Sequence, residues 1–166
     1  ALDLAARRDD PAFLPLCAEF ARVDRIERLP ARELAKISVD LLRTHLARLP
    51  KTNPVTRFAA QFPGDVAWLQ GAGLPLYHGY AFATLRQLGA NFELTALYLA
   101  WLTAQGETGL SHAQTAFSEI SSGAKALVLK TARAVNAKKT VDFGPMLQDM
   151  AAAWDTGMQS LKGLYR

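Results

Sequence analysis

The stretch YHGYAFATLRQLGANFELTALYLAWL, Tyr77 to Leu102, is apolar on nearly every side of any helix it could form, yet it carries His78, Arg86 and Glu93. A helix of that kind belongs near the centre of a bundle, wrapped by other helices. At about 100° per residue, His78, Phe82, Arg86, Gly89 and Glu93 fall within an arc of about 80°, and Ala81, Leu85, Leu88, Phe92, Thr95 and Leu99 fill the adjoining arc. An isolated buried charge costs several kcal/mol, so the expectation is a buried polar seam. In it, Arg86 and Glu93 are paired, hydrogen-bonded or lining a wet cleft. Their backbones lie about 10 Å apart along the helix, so partners from another helix are expected rather than a direct bond.

The elements around this helix read as helices too. In LPARELAKISVDLLRTHLARLP, Leu34, Ile37, Leu41, Leu42 and Leu49 recur at helical spacing between Pro30 and Pro50, which predicts an amphipathic first helix with those residues inward. Asn53 and Pro54 form an N-cap and first-turn pair for a second helix. Pro63 and Gly64 predict a kink or a break in it, and GAGLP ends it. Ser111 with Gln114 three residues on has capping-box spacing and opens a long helix. Phe117, Ile120, Ala124, Leu127 and Val135 make its inner stripe. Lys125 lies on the flank with Ser118, Ser121 and Asn136, where it is the leading candidate partner for Glu93. Gly123 allows close helix approach. A last helix from about Pro145 turns Met146, Met150, Ala153, Trp154, Gly157, Leu161 and Leu164 inward. Strand-like alternation is absent, and no internal repeat is evident. The fold class expected is all-α, a single-domain bundle of five or six helices around the Tyr77 to Leu102 helix. Residues 1–29, with prolines at 11 and 15 and no sustained period, read as an extended lead-in or linker, and 30–166 as the bundle.

Half of the 166 residues are hydrophobic and a fifth charged, which suits a domain able to close its own core. Arg86 and Glu93 break the longest apolar run, so no membrane span is expected. A lone Cys17 excludes an internal disulfide framework and makes a reducing cytoplasm the expected setting. No CxxC, HExxH or Cys/His cluster has metal-ligand spacing, so neither metal nor cofactor is expected. The opening ALDLAARRDD has neither an initiator Met nor a secretory pattern, so the chain reads either as Met-processed or as a piece of something longer.

A net charge of +4 favours acidic partners in general. The positive charge concentrates in the first helix and just after it, at Arg32, Lys36, Arg43, Arg48 and Lys51. Such residues also serve simply to solvate an outer face. Nucleic acid is the least favoured partner, because that face lacks interleaved aromatics. Catalytic constellations are not legible. His45, His78 and His112 are scattered, and a Cys17–His78 nucleophilic pair would require the lead-in to cross the bundle. Glu93 is the only carboxylate the central helix supplies, and Glu119 or Asp155 could join it only by tertiary accident. The glycines of QGAG and QGETG are turn formers.

LPLCAEFARVDRIERLPARELAKISVDLLRTHLARLPKTNPVTRFAAQF, then YHGYAFATLRQLGANFELTALYLAWL, AKALVLKTARAV and MAAAWD together resemble the C-terminal half of a bacterial family, domain-of-unknown-function family 1839. The phrases YAFATLRQLGANFEL and AWD carry most of the specificity. The resemblance implies members of roughly double length, whose N-terminal half is similar to papain-like acyltransferases and holds the candidate catalytic Cys and His. It also implies work with amino acids tethered to carrier proteins, which are small and acidic. On that footing Cys17 is not the nucleophile, and the chain is an accessory helical domain, with the N-terminal half or an acidic carrier protein as its partner. The alternative is a self-contained small enzyme, or a binder of small anions, using the His78, Arg86, Glu93 seam with Lys125.

Overall fold

The computed structural model describes residues 23–26 and 28–165. The chain divides after Pro30 into two units, and the second, Ala31–Arg166, is the helical domain. Within the first, Val23–Arg25 form a single 3-10 turn. The rest of the expected extended lead-in, Cys17 included, lies outside the described residues.

The domain consists of α1 (Ala31–Ala47), α2 (Pro54–Ala72), α3 (Leu74–Ala81), α4 (Gln87–Ala104), α5 (Ser111–Ala137) and α6 (Gly144–Tyr165). A π turn, Phe82–Arg86, joins α3 to α4, so the six segments make five rods. This is the all-α bundle expected, and the α3–α4 rod packs extensively within it. The most deeply buried stripe belongs to α5. Phe117, Ile120, Ala124 and Leu127 are fully enclosed between α4, α6 and α2, and Val135 is buried with them. Small residues set how closely the rods approach. A Cβ on Gly89 of α4 would stand 3.3 Å from that of Ala124 on α5, and Gly123 faces the side chain of Met150 on α6.

Local chemistry explains the ends. Asn53 caps α2 by accepting from the amides of Val55 and Thr56 at 2.9 and 3.3 Å, while its own amide donates to the carbonyl of Ala151 at 2.9 Å. That last bond ties the start of α2 to α6. α5 ends where Lys138 takes the left-handed conformation, φ 50°, and its amide returns to carbonyls of the last turn.

Four details differ from the sequence reading. First, of the kink or break expected at Pro63 the break is not made: α2 is continuous from Pro54 to Ala72 with Pro63, which is exposed, inside it. Second, α5 already includes Ser111 as its first residue, so the capping box is not made; Leu110 precedes it and makes no side-chain cap. Third, α1 packs through Ala35 and Val39, with Leu42, Leu46 and Leu49 beside them, whereas Leu34, Ile37 and Leu41 are exposed by 45, 46 and 56%. The helix carries two apolar stripes about 140° apart, and the one with the smaller residues allows the closer approach. Fourth, Leu164, expected inward, is 44% exposed near the end of α6.

Candidate functional site

Through α3, the π turn and the start of α4 the buried positions are Tyr77, Ala81, Leu85 and Gly89, each four residues after the last. In an ideal α-helix each such step would drift by about 40°. The wider π turn absorbs that drift and keeps all four against the core. Its last residue, Arg86, is consequently turned out beside the α4–α5 seam.

At that seam Arg86, Glu93 and Lys125 come together around a cleft of about 400 Å³, walled by Leu85, Gly89, Ala90, Val128 and Leu129. Lys125 Nζ meets Glu93 Oε2 at 2.8 Å. The expected burial of this seam is corrected. The side chains of Lys125 and Glu93 are 63 and 50% exposed, and Arg86 is exposed as well. The pair therefore sits in water at the rim, where such bridges contribute little. Arg86 lines the cleft without a carboxylate partner among the described residues. His78 is exposed, neighbours the ring of Tyr77, and does not join the cleft.

Beyond the Lys125–Glu93 bridge lies a smaller hollow of about 240 Å³, lined by Ala96, Leu97, Gln114, Ser118, Ser121 and Ser122. The ion pair borders both spaces. The Ser121 hydroxyl is buried and finds no hydrogen-bond partner among the described residues. Beneath the cleft the Tyr77 hydroxyl donates to the carbonyl of Val128. Burial raises its pKa above the ordinary phenol value, and the positive charge of Arg86 draws it partly back.

The second candidate surface is the cationic flank of α1. Arg32, Lys36 and Arg43 fall within about 40° of arc, opposite the exposed Leu34, Ile37 and Leu41. All five basic residues singled out, Arg48 and Lys51 included, are exposed. Arg43 pairs with Asp40 at 2.7 Å and stands 5.7 Å from the centre of the Tyr165 ring. Lys51 and Arg43 then meet Lys162 and Tyr165 of α6 around a hollow of about 500 Å³. Two helix C-termini converge there, and cations favourably compensate their carbonyl ends.

Sequence reasoning missed Lys162, because nothing in it brings the end of α6 to the end of α1. It also missed Val128 and Leu129 as cleft walls. Leu129 is four residues after Lys125, hence on the same flank, and that spacing was the available signal.

Among the described residues no group of three or more His, Cys, Asp or Glu side chains could hold a metal ion. None of the described helices is long and apolar enough to cross a membrane. These features define an all-α bundle with a charged cleft at its central seam. Residues 31–163 match the family described as the DUF1839 C-terminal domain, and the chain belongs to that family. Neither a curated protein nor a solved structure matches the chain.

Proposed function

We infer that this chain is an accessory helical domain, not itself catalytic, that docks an acidic partner in a cytoplasmic acyltransfer system acting with aminoacylated carrier proteins. The observation that carries the docking half is the exposed cationic flank of α1, Arg32, Lys36 and Arg43, continued around the hollow by Lys51 and Lys162, with Arg48 exposed just past the end of the helix. The acyltransfer setting rests on the resemblance of the quoted phrases alone. Either an acidic carrier protein or a catalytic N-terminal half fits as partner.

Exposed charge pairs contribute about 0.2–1 kcal/mol each, so the complex is weak, fast and salt-sensitive. Titration with an acidic carrier protein at low salt, repeated near physiological ionic strength, tests this. Binding should fade with salt and with reversal of Arg43 and Arg48 to Glu; binding indifferent to both would place the interface elsewhere. Thioester turnover by the chain that disappears in Cys17→Ala would overturn the non-catalytic part.

A second reading has its own support in the α4–α5 cleft: a site for a small anion, with Arg86 as the cation and Lys125 and Glu93 at its edge.

A further inference from the structure

The lining of the α4–α5 cleft is divided in kind. Leu85, Val128 and Leu129 give it an apolar floor and wall, Gly89 and Ala90 leave room along α4, and the charged groups stand at one margin. Its volume of about 400 Å³ lies low in the range of about 300–1,000 Å³ usual for ligand sites. Leu129 is 61% exposed and forms the outer part of that apolar wall. The charges at the margin are Arg86 and Lys125 against Glu93, a balance of one positive charge. Lys125 is engaged by Glu93 across 2.8 Å, whereas Arg86 has no carboxylate among the described residues.

We propose that this cleft binds a monoanionic carboxylate bearing an apolar tail of medium length. The carboxylate meets the guanidinium of Arg86, which presents paired N–H donors matched to it. The tail lies over Gly89 against Leu85, Val128 and Leu129 and covers the exposed leucine. Glu93 competes with the ligand for Lys125. The single surplus charge selects a monoanion over a phosphate dianion. This rests on the reading of the cleft as an anion site and adds to it the tail and the head group.

The test is a titration of the full chain with octanoate, acetate, 1-octanol and octyl phosphate, following the amide resonances of Gly89 and Lys125 by NMR. Octanoate should perturb both and bind more tightly than acetate, by about two- to fourfold for each methylene that enters. Octanol should bind at least about tenfold more weakly than octanoate, because it lacks the charge-assisted bonds. Arg86→Gln should weaken octanoate about tenfold. Glu93→Gln should tighten it by about two- to fivefold by releasing Lys125. Leu129→Ser should weaken octanoate and leave acetate unchanged. Each variant is at an exposed position, so the fold is expected to survive. Acetate binding as tightly as octanoate would remove the tail and leave the anion site standing. Octanol equal to octanoate, or octyl phosphate tighter than it, would remove the carboxylate assignment. No shift at Gly89 and Lys125 with any anion would remove both readings.

Discussion

The ring of Phe117 on α5 fills the space that a side chain on Gly157 of α6 would need. Phe117 is fully buried, so it cannot swing into solvent to make way. Gly157→Ala should therefore lower stability by about 1–3 kcal/mol through overpacking, despite alanine's better helix propensity. Gly79→Ala is the control. Nothing stands within 4 Å of its added carbon, so it should gain about 0.5–1 kcal/mol. Denaturant melts of the two variants should move in opposite directions.

Asn53 does two jobs, and two substitutions separate them. Asn53→Ala removes the α2 cap and the bond to Ala151 and should cost about 1–3 kcal/mol. Asn53→Asp keeps the cap acceptor but replaces the donor with a carboxylate facing a carbonyl. Equal stability of the Asp variant and the native chain would show that the bond to Ala151 contributes nothing.

The Lys125–Glu93 bridge is half in water, and its removal should barely be felt. Either residue replaced by Ala should lose no more than about 1 kcal/mol, with the loss shrinking as salt is added. Arg86→Met should stay within about 0.5 kcal/mol of the native chain. A loss of several kcal/mol in a melt would restore the buried seam that the structure replaces.

Alkaline pH should unfold the domain through its tyrosines. Burial pushes Tyr77, Tyr80 and Tyr98 above their ordinary value of 10.0. It also raises Tyr165 to about 12, with the Glu107 carboxylate accepting its proton bond and adding to the rise. For a group raised in the folded state, the neutral form is the one the fold favours. Its contribution is complete below the unfolded value of about 10 and is lost as pH climbs through the folded value. Melting temperature should fall over that window for the native chain, and more gently in Tyr80→Phe and Tyr165→Phe. Identical slopes in all three would dismiss these phenols as the cause.

Helix identity and the α5 stripe were legible because Phe117, Ile120, Ala124, Leu127 and Val135 sit on a straight helix with an uninterrupted period. The link between Lys125 and Glu93 was legible for a related reason, since two central helices must present their flanks to each other. The burial of that seam was not. A uniform 100° wheel cannot represent the π turn, which kept Gly89 inside while Arg86 and Glu93 turned out. Nor does an apolar surround guarantee enclosure. Leu94 and Leu97 on the same rod are exposed, because five rods in a domain of this length do not wrap the central one completely. In α1 the choice between two apolar stripes depended on the shape of the neighbour, which the helix's own sequence does not contain.

α1 rests against α6 with only Ala35 and Val39 buried and Leu42, Leu46 and Leu49 half-buried beside them, and one bond from the Tyr98 hydroxyl of α4 to the carbonyl of Ser38 at 2.8 Å ties it to the rod. Segments held so thinly open on their own, ahead of the body they lean on. Amide hydrogens of α1 should accordingly trade with deuterium well before those of α5, which has neighbours on several sides. The cationic residues are then mounted on the part of the domain that can lift away without global unfolding. A partner gripping them would slow that exchange selectively, leaving a footprint of its visit even where the complex itself is too brief to isolate.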